Sequence, residues 1–205
     1  MIIESVLPAG RTRLRFCTDA GLDFTLSRKD ASLYGLSEGD EIGPALLERL
    51  LQDLRKSCLR RAGSLLAARD YSRARLAEKL TADGYPAPVR EGVLQELEEA
   101  GYLDEYRMAC DYIRLHLEDR SRQRILQDLR RQGLAEELVL RALSKTAADT
   151  DPDRAERDQI RRLLAARQYD PAVCDWKTEQ KLMAFLYRKG YSTEKIRAVM
   201  QEYDR

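Results

Sequence analysis

Cysteine and histidine side chains are the first residues to consider for metal or redox chemistry. The 205-residue chain has four cysteines, Cys17, Cys58, Cys110 and Cys174, and one histidine, His116. No two cysteines lie within forty residues of each other, so no CxxC pair exists to bind zinc or exchange disulfides. A single histidine also leaves little capacity for general acid–base catalysis. We therefore expect free thiols in a reducing compartment and no metal site.

An acidic run at residues 90–105 is the second group with chemical potential. Its carboxylates are Glu91, Glu96, Glu98, Glu99, Asp104 and Glu105, against one Arg90. They could in principle bind a metal, but solvation of a helix surface explains them better. The chain also lacks the phosphate-binding, dinucleotide-binding, zinc-protease and serine-hydrolase motifs. We expect no enzymatic activity and no cofactor.

Basic residues are the third group, and they are the best candidates for binding. In RSRQRILQDLRRQGL (120–134), Ile125, Leu126 and Leu129 form one apolar stripe, so the arginines must project elsewhere. Related positions earlier and later in the chain are also basic. The candidate residues for binding a protein partner or DNA are Arg73, Arg75, Lys79, Arg120, Arg122, Arg124, Arg130, Arg131, Lys177, Lys181, Arg188 and Lys189. A basic stripe repeated along the molecule would suit an extended acidic or phosphate-bearing partner.

The alternative is that these arginines and lysines serve only as soluble helix formers. Charged residues make up 35% of the chain, yet its net charge is only +1, so the bulk charge does not indicate a nucleic-acid binder.

The elements that carry these residues follow from an internal repeat. LLAARDY (65–71) and LLAARQY (163–169) differ at one position and lie 98 residues apart, which is twice 49. A step of 49 residues also relates Leu80 and Gly84 to Leu129 and Gly133. The third copy keeps this period until an eight-residue insertion, DPAVCDWK (170–177). We therefore predict three copies of one helical unit.

A motif of leucine, three spacers, glycine and an apolar residue recurs in LTADGY (80–85), LEEAGY (97–102), LRRQGL (129–134) and LYRKGY (186–191). The leucine belongs to a buried helix face. The glycine can adopt the left-handed conformation that ends a helix, and the next apolar residue folds back on the last turn. We predict that the hydroxyls of Ser72, Ser121 and Thr178 cap the starts of the three middle helices.

The first forty residues differ from the repeats. Alternating apolar residues predict short strands at 2–7, 11–16 and 22–26, then helix from Pro44 onward. The predicted fold is mainly α, with three tandem three-helix repeats in an elongated arrangement after a small antiparallel β-hairpin or three-strand unit. We expect an N-terminal β region at 1–43, the leading helix and first repeat at 44–103, the second repeat at 104–150 and the third at 151–205. KTAADTDPD (145–153) is the most linker-like stretch, where hinge motion is expected.

Four segments in this order resemble the RecX family, which regulates the recombinase RecA. They are SRARLAEKLTADGY (72–85), LEEAGYLDEYRMA (97–109), RSRQRILQDLRRQGL (120–134) and KLMAFLYRKGYSTEKI (181–196). The resemblance covers residues 58–205, and the leading strands are similar to a hairpin found in some members. Met108 stands where the family usually has phenylalanine, and Arg75 replaces a common glutamate.

The resemblance implies a non-enzymatic protein that binds RecA and the filament of RecA on single-stranded DNA. Such binding would inhibit filament extension, ATPase, strand exchange and coprotease activity, and so modulate homologous recombination, DNA repair and the SOS response. Weak direct DNA binding is also implied. We expect a soluble, cytoplasmic monomer with no membrane association. Two alternatives stay open: a helical-repeat protein that binds DNA independently of RecA, and an adaptor for another protein.

Overall fold

The computed structural model describes residues 1–146 and 151–203. The predicted fold class is confirmed, since the described residues form ten helices after a small three-stranded antiparallel sheet. The chain divides into two compact units, Met1–Asp104 (unit 1) and Glu105–Arg205 (unit 2).

The sheet of unit 1 has the strands β1 (Ile3–Pro8), β2 (Arg13–Thr18) and β3 (Phe24–Ser27), with β2 in the middle. The three predicted strands are therefore present, each ending one or two residues later than expected. Phe16 of β2 pairs directly with Phe24 of β3, and their rings stack with centroids 5.1 Å apart. Both side chains are fully buried, so the alternation read from the sequence correctly identifies the core face of the sheet.

A short helix that the sequence did not predict follows the sheet. Helix α1 (Arg28–Tyr34) begins where Ser27 Oγ accepts the backbone N–H of Asp30 and donates to its carboxylate. It ends at Gly35, which has a φ of 63°. These local caps stabilise a helix of seven residues, which is too short to produce a clear apolar period.

Helix α2 (Pro44–Ala68) starts at Pro44 as predicted, and it presents a stripe of buried residues at every fourth position. The stripe consists of Leu50, Leu54, Cys58 and Ala62. It packs on α3 (Arg73–Ala82) and α4 (Ala87–Glu99). The core faces of these two helices consist of Leu76, Leu80, Val89, Val93, Leu94 and Leu97, which are all buried. The burial of Leu80 and Leu97 confirms the prediction for the motif leucines.

Unit 2 contains six helices among its described residues and has two small cores. Helices α5 (Glu105–His116), α6 (Arg122–Arg131) and α7 (Glu136–Thr146) surround the first core. Helices α8 (Pro152–Ala165), α9 (Trp176–Arg188) and α10 (Thr193–Glu202) surround the second. The linker predicted at 145–153 falls mostly between α7 and α8, and its residues 147–150 lie outside the described residues.

The recurring glycine motif forms the predicted helix ends. Gly84, Gly133 and Gly190 have φ values of 86°, 89° and 92°. In each copy the residue after the glycine donates its N–H to the carbonyl of the motif leucine, as when Tyr191 donates to Leu186. This is the Schellman pattern, in which two otherwise unpaired carbonyls of the last turn accept hydrogen bonds.

Two of the three predicted N-caps are confirmed, and the third is wrong. Ser72 Oγ and Ser121 Oγ each accept a backbone N–H three residues on, at 3.2 Å. In the third copy, Asp175 is the cap, and its carboxylate accepts the N–H of Thr178 at 3.0 Å. The insertion supplies this carboxylate three residues earlier than the repeat does, so α9 begins earlier and has 13 residues.

Gly84 also marks the place where the sheet meets the first repeat. The backbone N–H of Thr25 in β3 donates to the carbonyl of Gly84 at 3.0 Å. A Cβ on Gly84 would overlap the Thr25 side chain. The adjacent Asp83 pairs with Arg61 at 2.6 Å and with Arg13 of β2 at 3.7 Å. The glycine therefore both ends α3 and permits the close approach of β3.

Candidate functional site

The end of α9 lies against the start of α6 within unit 2. Ser121 Oγ accepts the N–H of Arg124 at 3.2 Å and donates to the carbonyl of Lys189 at 2.7 Å. A Cβ on Gly190 would stand 2.5 Å from Ser121 Oγ and 3.2 Å from the Arg124 nitrogen. One buried serine thus caps α6 and binds the last turn of α9. This junction brings the basic end of α9, including Arg188, to the basic start of α6.

Two buried polar residues of α8 support the same junction. Glu156 accepts the backbone N–H of Arg122 at 2.9 Å and pairs with Lys195 of α10 at 2.6 Å. Gln159 donates to the carbonyl of Leu117 at 2.7 Å and accepts the hydroxyl of Tyr191 at 2.9 Å. Because buried polar groups are costly unless paired, these bonds fix how the second and third copies meet.

Sequence reasoning missed Glu156 and Gln159. Polar residues in an arginine-rich helix look like part of its solvated face, yet both are less than 8% exposed. The only available signal was their position on the same face as Ile160 and Leu164, which are fully buried.

Tyr191 gives this junction a pH dependence that can be measured. Burial, followed by the nearby charge of Glu156, raises the pKa of Tyr191 to about 12. An exposed tyrosine has a pKa of about 10. The folded protein therefore keeps the phenolic proton between these pH values while the unfolded chain loses it. The free energy that this group contributes to folding is complete below pH 10 and is lost as the pH rises toward 12.

We expect Tyr191→Phe to lower the free energy of unfolding by about 1 kcal/mol near pH 8, because the hydrogen bond to Gln159 is lost. Between pH 10 and about 12 the wild-type protein should lose this advantage and become less stable than the variant, by up to about 2 kcal/mol at the upper end. Urea unfolding of both proteins across this range measures the difference. If the difference in stability between wild type and Tyr191→Phe does not change with pH, the raised pKa of Tyr191 is contradicted.

The candidate basic residues of the second copy are largely paired inside unit 2. Asp128, whose side chain is 12% exposed, lies 2.9 Å from Arg120, 3.2 Å from Arg124 and 3.6 Å from Arg131. Arg120 also donates to the hydroxyl of Tyr112 at 2.6 Å. One carboxylate therefore holds three guanidinium groups together, so that a concentrated positive charge lies on and around α6.

Two further residues of this copy differ in their pairing. Arg130 forms an exposed ion pair with Glu136 at 3.0 Å. Arg122 uses its backbone N–H to bond Glu156, and its side chain forms no ion pair in the described part of the chain.

The first-copy candidates belong to unit 1, and two of them are paired. Arg73 lies between two glutamates of α4, Glu91 at 2.8 Å and Glu98 at 3.0 Å. Arg75 pairs with Glu78 at 2.7 Å. Lys79 is exposed in the last turn of α3. The acidic run at 90–105 thus serves partly to pair with basic side chains of the same unit. A continuous basic stripe over all three copies stays a prediction.

The third-copy candidates are the most available for a partner. Lys177, Lys181 and Arg188 are exposed on α9, and none of them forms an ion pair with a residue in the described ranges. At 3.6 residues per turn they fall within about 40° of one another around the helix. Lys189 follows directly, with its ammonium 5.3 Å from the ring centre of Phe185. We refer to Lys177, Lys181, Arg188 and Lys189 as the α9 basic edge.

No metal site is assembled in the part of the chain that the structure describes. No group of three or more His, Cys, Asp or Glu residues there could hold a metal ion. Among the same residues, none of the helices combines the length and apolar character needed to cross a membrane. The arrangement on unit 2 is suited to binding an anionic surface by charge and hydrogen bonding.

Comparison with known proteins identifies the repeats. The family model for the first three-helix domain of RecX matches residues 58–97, and that for the third matches residues 165–200. The regulatory protein RecX of Mycobacterium sp. (strain KMS) is 36% identical over 137 residues, which cover 66% of this chain and 73% of that protein. RecX of Trichlorobacter lovleyi is 30% identical over 147 residues, or 71% of this chain and 94% of that protein.

Solved structures have the same fold. A crystal structure of regulatory protein RecX superimposes with a TM-score of 0.63 at 18% identity, covering 98% of both chains. RecX from Lactobacillus salivarius gives a TM-score of 0.61 at 18% identity, covering 75% of this chain and 98% of that one. Sequence identity, the order of the three-helix domains and the fold agree, and the chain therefore belongs to the RecX family.

Proposed function

We propose that this protein is a non-enzymatic regulator that binds RecA and the RecA filament on DNA in the cytoplasm. Binding would inhibit filament extension and lower the ATPase, strand-exchange and coprotease activities, and so modulate DNA repair and the SOS response. The observation that carries the proposal is the α9 basic edge next to the arginines of α6, in a chain of the RecX family.

The repeated architecture supports regulation of an assembly. Three related helical units offer several separate surfaces, and a filament presents identical protomers at regular spacing. Contacts that are individually weak then gain avidity for the filament over the free protomer, because each further contact forms at a high effective concentration. Inhibition would therefore act on assembled RecA at low ratios of this protein to RecA.

The test is a titration of RecA's ATPase activity on single-stranded DNA with this protein. We expect inhibition well below one molecule per RecA protomer, because loss of a filament segment silences many protomers. Inhibition that needs equimolar protein would contradict action through the assembly. If the cognate RecA shows no change in ATPase or filament growth, the proposed function is wrong.

Direct DNA binding independent of RecA is the second candidate, and the unpaired cations of α9 favour it. It predicts tight binding to DNA without RecA, with an affinity that falls steeply as salt is raised. Fluorescence anisotropy with labelled DNA over a range of salt concentrations distinguishes the two. We expect direct binding to be weaker than filament binding, since Arg124 and Arg131 of α6 and the preceding Arg120 are already paired with Asp128.

A further inference from the structure

Two large aromatic side chains on α9 are mostly exposed to solvent. Trp176 is 74% exposed and Tyr187 is 65% exposed. Single exposed apolar side chains are common on proteins, whereas two large aromatic side chains that share one helix face indicate an interaction surface. Trp176 is the only tryptophan of the chain, and it lies in the insertion that distinguishes the third copy.

Helix geometry places the two aromatic residues in one row. Trp176, Gln180, Ala184 and Tyr187 are all exposed, and we call this row the α9 ridge. On a helix with 3.6 residues per turn, Trp176 and Tyr187 point in directions about 20° apart and are separated by about 16 Å along the axis. Ala184 between them leaves room for a partner side chain. The ridge is thus a convex strip with a large apolar residue at each end.

Charges of both signs lie beside the ridge. The α9 basic edge runs along one side, where Lys177, Lys181 and Arg188 form no ion pair in the described part of unit 2. The start of the helix is acidic. Burial and then the charges of Asp175 and Glu179 raise the pKa of the Cys174 thiol, which lies just before the helix.

This distribution favours a protein over a nucleic acid as the partner. A nucleic-acid strand lying along the ridge would bring its phosphates close to the carboxylates of Asp175 and Glu179. These negative charges would repel the phosphates. Two rings about 16 Å apart also cannot stack on successive bases, which is how single strands gain affinity from aromatic side chains. A convex helix face whose apolar residues, Trp176, Ala184 and Tyr187, lie eight and three positions apart instead matches the face of a helix that inserts into a groove of a partner protein.

We propose that the α9 ridge inserts into an apolar groove of RecA, and that carboxylates on one rim of that groove face the α9 basic edge. The inference rests on the proposed function and adds to it the side chains that become buried. Tryptophan and tyrosine each bury about 150–250 Å² in such contacts and are the residues that most often dominate binding energy. The cations would then fix the orientation of the helix and raise the rate of association.

Substitution of the two rings tests the proposal. Trp176→Ala and Tyr187→Ala should each weaken binding to RecA–DNA filaments roughly 30-fold, as expected for anchors of an interface. Leu115→Ala is the matched control, since Leu115 is 74% exposed on α5 of the same unit. The filament affinity of this variant should stay within about twofold of wild type. Because all three side chains are exposed, thermal unfolding should be unchanged. Wild-type affinity in both aromatic variants would overturn the proposal.

The single tryptophan allows a test on the unaltered sequence. Labelling the protein with 5-hydroxytryptophan makes residue 176 selectively excitable in the presence of unlabelled RecA. Its emission should shift to shorter wavelength with filaments and should not change with single-stranded DNA alone. An equal shift with DNA alone would assign the ridge to DNA, and a shift that depends only on the protein's own concentration would assign it to self-association. Either result overturns the proposal.

The outcome separates this inference from the function on which it rests. If wild-type protein inhibits and binds filaments while the aromatic variants do so equally well, the function stands and the ridge is not its contact. If wild-type protein does not bind filaments at all, the proposed function fails, and the inference fails with it.

Discussion

Replacing Gly190 with alanine is expected to lower the free energy of unfolding of unit 2 by about 3 kcal/mol. Alanine at a φ of 92° costs roughly 1–2 kcal/mol, because its Cβ crowds the following carbonyl. The new methyl group would also stand 2.5 Å from Ser121 Oγ. Ser121 must then move, which breaks its bond to the carbonyl of Lys189 and weakens the cap of α6 by a further 1 kcal/mol or so.

Gly101→Ala is the matched control for this substitution. Gly101 has a φ of 74° and ends α4, but a Cβ there would meet no atom within 4 Å. It should therefore cost only the conformational part, about 1 kcal/mol. Urea unfolding measures both effects, with the loss from Gly101→Ala followed in unit 1 and the loss from Gly190→Ala followed in unit 2. Equal losses of stability would mean that the close approach to Ser121 contributes nothing.

A double-mutant cycle isolates the contact between the two copies. Ser121→Ala alone should destabilise unit 2 by about 1 kcal/mol through loss of the cap. In the background of Gly190→Ala the same change should cost much less, since it removes the clashing oxygen. Additive losses would contradict the proposed geometry. We also expect Gly190→Ala to weaken filament binding, because the junction brings the basic end of α9 to α6.

One of the two structural roles of Gly190 could be predicted from the sequence, and the other could not. The spacing from Leu186 to Gly190 and Tyr191 predicts a Schellman end, because that pattern needs only local chemistry: a left-handed residue and an apolar residue that folds back. The second role of Gly190, close approach to Ser121, depends on a residue 69 positions earlier in the chain. No local period carries that information, so the contact appears only in the structure.

The basic surface of unit 2 could likewise be predicted from the sequence only in part. Which residues are basic, and which lie off the buried stripe of each helix, follows from a period of 3.6 residues. Which of them are paired follows only in part, because Arg124 and Arg131 lie four and three residues from Asp128 on the same helix, whereas Arg120 reaches Asp128 from the turn before α6. The cap at Asp175 was missed for a related reason. The insertion breaks the register of the repeat, so that the homologous hydroxyl of Thr178 lies inside the helix.

Reversal of two charges on the α9 basic edge should have the largest effect on function. We expect Lys181→Glu with Arg188→Glu to weaken filament binding on the order of 100-fold at low salt, since attractive charges become repulsive against an acidic partner. The slope of affinity against salt should also become shallower than that of wild type, because fewer attractive charges remain to be screened. Filament affinity by fluorescence anisotropy, measured from low to physiological salt, gives both quantities.

The matched control reverses two other exposed arginines of unit 2, Arg154 on α8 and Arg197 on α10. Neither forms a side-chain ion pair in the described ranges, so the change in net charge is the same while the surface differs. The filament affinity of this control variant should fall by less than about fivefold, and that fall measures the contribution of overall charge. Reversal of Arg130 and Arg131 should cause a loss of filament affinity between those of the control and the α9 variant. These two residues already pair with Glu136 and Asp128, so they contribute less to binding the partner. If the control loses as much affinity as the α9 variant, binding depends on the net charge of the protein and not on this edge of α9.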